Sequence, residues 1–214
     1  MSIDLQERLP VNGSLDLAAR LRFLGAFLRE PITVGSVWPS SPALAELILD
    51  KCDVPSRRLV AELGPGTGAF TGPILERISN PSRFLAVEIS THNVRELRRR
   101  FPGLELYRGS AAALPTYVRR PGEPNAKADC IISGLAWGNM RPETQATILN
   151  AIVCSLAPNG VFTTFAYAHA RWFPTSRRFR RRLLATFARV ETTPVLWRNL
   201  PPAYVYRCWQ AGGR

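Results

Sequence analysis

The stretch of this chain best equipped for chemistry is Glu62-Leu63-Gly64-Pro65-Gly66-Thr67-Gly68-Ala69-Phe70-Thr71. It follows a short apolar run, Leu59 to Glu62, and opens a helix-forming segment. Glycine at such a junction lets the backbone turn sharply and approach a ligand closely. A dinucleotide's pyrophosphate asks for a further glycine, whereas Gly68 is followed by Ala69, Phe70 and Thr71. No Gly-Lys-Ser or Gly-Lys-Thr closes the loop, which excludes a P-loop nucleotide site. Glu62 separates the remaining possibilities, because a carboxylate ahead of the loop repels a pyrophosphate and suits a cation.

A second acid, Glu88, stands 20 residues past Gly68 at the end of the next apolar run. A carboxylate there can take both hydroxyls of a ribose. A ligand with positive charge, a ribose and no phosphate satisfies both acids. S-adenosylmethionine, with its sulfonium and α-ammonium, is such a ligand. Transfer of its methyl group is an in-line displacement at an activated carbon. It needs an acceptor held in line and water excluded, and no covalent nucleophile.

These residues need a frame to hold them. Strands are expected at 59–62, 84–87, 104–107, 128–133, 161–167, 189–197 and 203–209, with a turn at Pro158-Asn159-Gly160. Helices are expected at 15–30, 42–50, 69–79, 92–101, 142–156 and 173–188. Ser14 caps the first of these, Pro31 ends it, and Pro142 opens the helix at 142. Strand–helix alternation at this spacing predicts a mostly parallel sheet covered on both faces, ending in an antiparallel hairpin. Leu17, Leu21, Leu24 and Leu28 recur at helical spacing beside Arg20, Arg22 and Arg29, so 15–30 reads either as a packed helix or as a basic amphipathic one on an anionic bilayer.

The chain has 214 residues, of which 46% are hydrophobic, enough for one domain with a real core. Its net charge is +12, with two lysines, Lys51 and Lys127, among 28 basic residues. From 144 to 214 there is one acid, Glu191, against ten arginines, and the run Arg177-Arg178-Phe179-Arg180-Arg181-Arg182 lies within that part. Such a run is a solvated helix face, a surface for anionic lipid, or a nucleic-acid contact. Cys52, Cys130, Cys154 and Cys208 are scattered, and with only His92 and His169 no metal site is expected. There is no run of 18 apolar residues and no basic lead at Met1 to Glu7, so neither a membrane span nor a signal peptide is expected.

The acid-led glycine loop with an acid ending the second strand is similar to class I S-adenosylmethionine-dependent methyltransferases. Gly35-Ser36-Val37-Trp38-Pro39-Ser40-Ser41 upstream, Ser133-Gly134-Leu135 after the fourth strand, and Asn199-Leu200-Pro201-Pro202-Ala203 near the end narrow the likeness. Together they resemble bacterial phospholipid N-methyltransferases, with rRNA adenine dimethyltransferases as the next relatives. The likeness implies a Rossmann-like methyltransferase domain over 35–214 and an N-terminal amphipathic helix within 1–34. It also implies that Glu62, Gly64, Gly66 and Gly68 wrap the donor's methionine part and Glu88 its ribose. Ser40 and Ser41 would close over the donor, Ser110 and Ala111 would lie near its adenine, and Ser133, Gly134 and Leu135 would complete the pocket. The adenine enzymes carry Asn-Pro-Pro-Tyr or similar after the fourth strand. Ser133-Gly134-Leu135-Ala136-Trp137 lacks that amide and that stacking tyrosine, which argues against a nucleobase acceptor.

The acceptor implied is the head-group amine of a phospholipid, phosphatidylethanolamine and its partly methylated forms; another amino-lipid, a small amine or an rRNA adenine is the alternative. A head-group phosphate wants arginine or a tyrosine hydroxyl, and a methylated ammonium wants aromatic faces. Trp38, Trp137, Tyr167, Tyr204 and Arg207 are the candidate substrate contacts, and Tyr167 and Asn199 the candidate catalytic residues. The expected partner is an anionic membrane surface, and the expected state a monomer in the cytoplasm, held peripherally at the inner face of the cell membrane.

Overall fold

The computed structural model describes residues 41–210. The expected helix at 15–30, Trp38 and Ser40 lie outside the described residues. Among those described, β1 (Leu59–Leu63), β2 (Arg83–Glu88), β3 (Glu105–Arg108), β4 (Ala128–Ser133), β5 (Leu156–Tyr167), β6 (Arg189–Thr192) and β7 (Ala203–Trp209) form one sheet in the order β3-β2-β1-β4-β5-β7-β6. The pairs β3-β2, β2-β1, β1-β4 and β4-β5 are parallel. Strand β7 lies antiparallel between β5 and β6. This is the Rossmann-like methyltransferase sheet expected, with its antiparallel terminal pair.

The helices are α1 (Pro42–Leu49), α2 (Thr71–Leu75), α3 (Thr91–Arg100), α4 (Leu114–Val118), α5 (Pro142–Ser155) and α6 (Pro174–Thr186). Alternation along the strands sorts them into layers. Val60, Ile132, Val161 and Val205 pack with Leu44 and Ile48 of α1 and Ile74 of α2. Ala61, Leu63, Ile131 and Phe162 pack on the other face with Leu114 of α4, Ile148 and Ile152 of α5, and Phe179 and Leu183 of α6. Strand β1 is buried at all five positions because both faces are covered.

Three expected elements differ. Helix α2 ends at Leu75 rather than 79: Pro73 is tolerated in its first turn, and Arg77 N–H already tightens onto Ile74 O. Strand β6 stops at Thr192, since Pro194 has no N–H to continue the ladder; Thr193 N–H still donates to Val205 O, and the isolated bridge Leu196–Ala203 follows. Strand β5 begins at Leu156. The expected turn at 158–160 is a bulge within it, where the register on β4 shifts between Ala128 and Cys130 and Asn159 sits at φ 62°. The short α4 was not anticipated; Leu114 and Val118, one turn apart, both bury beneath it.

Candidate active site

The sheet order reverses between β1 and β4, and the loops leaving the C-terminal ends of these strands form the crevice where open α/β sheets bind ligands. The glycine loop leaves β1 there. Gly64 N–H donates to Val87 O at 2.9 Å, and Gly68 N–H to Pro65 O at 2.8 Å. Gly66 has φ +56° with nothing within 4 Å of where a Cβ would stand. An L-residue there is strained, and its side chain would fill the open side of the loop. Gly64 and Gly134 lock the two loops together. A Cβ on Gly134 would meet Gly64 O at 2.6 Å, and one on Gly64 would meet Leu135 Cδ2 at 2.6 Å.

Glu62 is wholly buried in β1, on the face that carries α2. Its Oε2 accepts from Thr71 Oγ1 at 2.7 Å, and its Oε1 has no hydrogen-bond partner among the described residues. Burial pushes its carboxyl up to about 8, opposed by the Thr71 bond and aided by Glu88. Glu88, also buried, ends β2. Its Oε2 accepts from Gly66 N–H at 3.0 Å and its Oε1 from Ser90 N–H at 2.8 Å, which pins the glycine loop to the second strand. Ser110 follows β3, exposed, with its Oγ accepting from Ala112 N–H at 3.2 Å; Ala111 is buried beside it. The strand ends thus bring together Glu62, Gly64, Gly66, Gly68, Glu88 and Ser110, with Ser133-Gly134-Leu135 on the far side.

The acceptor side departs from expectation at four residues. Trp137 is 3% exposed. Its ring stacks on Phe179 of α6, centroids 4.7 Å apart, and its Nε1–H donates to Thr164 Oγ1 at 3.1 Å and Ser133 Oγ at 3.2 Å. It is a strut under the loop after β4, not an open face for an ammonium. Tyr204 is buried, with its hydroxyl 3.1 Å from that of Tyr206. Arg207 points to α1, where it donates to Leu47 O at 3.0 Å and to Asp50 Oδ2 at 2.7 Å, a cation at a helix C-terminus. Asn199 is buried with both ends of its amide committed: Oδ1 accepts from Ser41 Oγ at 2.6 Å, and Nδ2 donates to Pro201 O at 2.6 Å. Its amide is committed to holding two segments together. Ser41 is the N-cap of α1, so this clamp joins that helix to the Asn199–Pro202 loop. Tyr167 remains at the C-terminal end of β5, half-buried, stacked on His169 at 5.8 Å. Burial holds its phenol above the ordinary value and the His169 imidazole below.

Sequence reasoning missed Gln145 and Thr164. Gln145 Nε2 donates to Trp137 O at 2.7 Å from inside α5, holding the same loop from behind. The available signal was a polar residue on the stripe Gln145, Ile148, Leu149, Ile152, otherwise apolar and buried.

Comparison with known proteins gives this geometry its context. A methyltransferase domain family matches residues 60–160. The ornithine lipid N-methyltransferase of Singulisphaera acidiphila is 30% identical over 192 residues, 87% of this chain and 93% of that protein. The chain belongs to the S-adenosylmethionine-dependent N-methyltransferases. A shorter match, 45% over 56 residues, is to ribosomal RNA small subunit methyltransferase A of Burkholderia cenocepacia; it spans 25% of this chain and 20% of that one. The O-methyltransferase TomG from Streptomyces achromogenes, solved with its donor, shares the fold. Its TM-score is 0.60 at 16% identity, covering 92% of each chain.

The residues of this methyltransferase fit its donor. Glu62 Oε1, buried and without a partner among the described residues, can meet positive charge, and the open side of Gly66 admits a close neighbour to the backbone. Each Glu88 oxygen accepts one backbone N–H and, as a carboxylate oxygen, has room for a hydroxyl as well. When bound, the donor supplies an electrophilic methyl carbon and a neutral sulfur leaving group. The chain's part would be to hold the donor at the strand ends that carry Glu62, Gly66 and Glu88, beside the loop after β4 that Trp137, Gln145 and Thr164 brace, and to keep water out.

Proposed function

We propose that this enzyme methylates the head-group amine of a membrane amino-lipid, phosphatidylethanolamine or an ornithine-type lipid, at the inner face of the cell membrane, with repeated transfer to di- and trimethylated products. The observation that carries this reading is the near full-length likeness to the ornithine lipid enzyme. Supporting it, the segment after β4 turns its one aromatic ring, Trp137, into the core, which leaves no ring there to stack a nucleobase. The amine must lose a proton before or during attack. His169, at the exit of β5 with burial holding its imidazole below its ordinary value, is the candidate base on this edge.

The test is transfer of labelled methyl from S-adenosylmethionine to vesicles containing phosphatidylethanolamine, vesicles containing an ornithine lipid, and a small-subunit rRNA transcript. Mass spectrometry then locates the label. Mono-, di- or trimethylated lipid is the expected product. Label in RNA alone, with both lipids unchanged, refutes the proposal.

A further inference from the structure

Helix α3, between β2 and β3, ends in three consecutive arginines, Arg98, Arg99 and Arg100. Positive charge in a last turn suits the helix dipole, which is reason enough for an arginine there. Arg99 stays on its own helix and pairs with Glu96, three residues back, at 2.9 Å. Arg100 leaves the helix. Its Nη1 donates to Thr67 O, in the middle of the glycine loop and 33 residues earlier in the chain.

The reach of Arg100 is guided by its neighbour. Its Cζ lies 5.1 Å from the centre of the Phe101 ring, a cation resting on an aromatic face. Stacking of this kind narrows the range over which an exposed guanidinium swings. The same ring backs the loop itself. A Cβ on Gly68, at φ +85°, would meet Phe101 Cε2 at 2.7 Å and Leu97 Cδ2 at 3.2 Å. The end of α3 thus meets the glycine loop with one charge-assisted hydrogen bond and two apolar side chains.

The other end of α3 holds the loop's second partner. Ser90, the N-cap, donates its N–H to Glu88 Oε1, and Glu88 Oε2 accepts from Gly66 N–H. These bonds close a ring: Glu88 to Gly66, along one peptide to Thr67, across to Arg100, and back through α3 to Ser90. Among the described residues, Glu88 and Arg100 are the two side chains that bond the backbone of Gly64 to Gly68. Glu88 also offers its oxygens to the donor. Arg100 is exposed, and its bond serves the loop alone.

We propose that Arg100 is a positioning residue for donor binding. It holds the glycine loop in its receiving shape before the donor arrives, and it touches no reactant. A loop already held loses less freedom on binding, so the effect falls on donor affinity.

The test uses the full chain with Arg100→Met, Arg100→Lys and, as a control, Arg99→Met. Calorimetry gives Kd for S-adenosylmethionine and for S-adenosylhomocysteine, its counterpart with a neutral sulfur. We expect Arg100→Met to weaken both alike, by about fivefold, the worth of one hydrogen bond. Arg100→Lys still offers a donor to Thr67 O and falls between Arg100→Met and the parent. Arg99→Met binds both as the parent does. Hydrogen exchange on the donor-free protein reads the loop directly. Amides within 64–70 should exchange faster in Arg100→Met, those of β5 and β7 should not, and saturating donor should remove the difference. Unchanged affinities with unchanged exchange of the loop overturn the proposal. Tighter binding of the cationic donor with the product unaffected also overturns it, since Arg100 would then be a repelling charge. Faster exchange spread through β5 and β7 overturns it as well, for Arg100 would then stabilise the whole fold rather than the loop.

Discussion

Replacing Glu62 with glutamine should strengthen the fold and weaken the donor site, with opposite dependences on pH. The carboxyl sits at about 8 in the folded protein against an ordinary 4.5, because burial disfavours its charged form. Between those values the folded state keeps a proton that the unfolded state has lost. Folding therefore binds protons, and stability falls as pH rises across that window. Fully developed, the difference is about 5 kcal/mol, a large share of the ~5–15 kcal/mol typical of a domain. The glutamine amide does not titrate, so urea unfolding of Glu62→Gln at pH 5 and pH 8.5 should lack this decline. At neutral pH about nine-tenths of Glu62 carries its proton. A cationic donor that pairs with it must expel that proton. Calorimetry in two buffers of different ionisation enthalpy should then show roughly 0.9 proton released at pH 7, falling toward none above pH 9. In Glu62→Gln this release disappears, and affinity drops by about 1.5–3 kcal/mol, the worth of a charge-assisted hydrogen bond. Equal proton release in both proteins, or an unchanged Kd in the variant, would refute the reasoning.

Gly66→Val forces a β-branched residue to φ +56°, at a strain of about 1–2 kcal/mol, and fills the open side of the loop; isothermal titration should show donor binding weakened at least about tenfold. Trp137→Phe removes the indole N–H that holds Ser133 and Thr164, so turnover should fall about tenfold with donor Kd moved less than about twofold, read by steady-state kinetics beside calorimetry. Ser41→Ala and Asn199→Ala each cost about 1–3 kcal/mol, and the double variant costs less than their sum, because one clamp is cut either way; chemical denaturation checks this. Arg207→Met should alter the unfolding midpoint yet leave kcat/KM for the lipid unchanged, and a selective rise in KM would restore Arg207 to the acceptor site.

Much of the fold was legible because period and punctuation agreed. Strand β7 was marked at its start by the change from Asn199–Pro202 to Ala203-Tyr204-Val205, and α5 by Pro142 at its first turn. Errors came where one backbone group outweighed the pattern. Pro194 ended β6 in the middle of the strand expected over 189–197, and the bulge at Asn159 concealed that β5 had already begun at Leu156. Neither can be weighed from composition, because each depends on which neighbouring strand is asking for a hydrogen bond.

The two halves of the site were unequally legible for a related reason. Its donor half is built from backbone: positive φ at Gly64, Gly66 and Gly68, loops packed so closely that a Cβ on Gly134 would strike Gly64 O, and a carboxylate on backbone N–H groups. Such demands leave only certain residue types possible, so the residues announce themselves in order along the chain. The acceptor half is built from side chains that meet across long separations, as Ser41 meets Asn199 and Trp137 meets Thr164 and Phe179. A tyrosine or tryptophan near a strand end reads alike whether it faces the crevice or the core, and the strand's alternation decides between them. Tyr204 and Tyr206 share a face with Phe162, whereas Arg207 takes the other and meets α1. Counting that alternation from the buried Val205 would have removed Tyr204 and Arg207 together from one binding surface, since neighbours set apart by an odd number of residues in a strand cannot serve the same face.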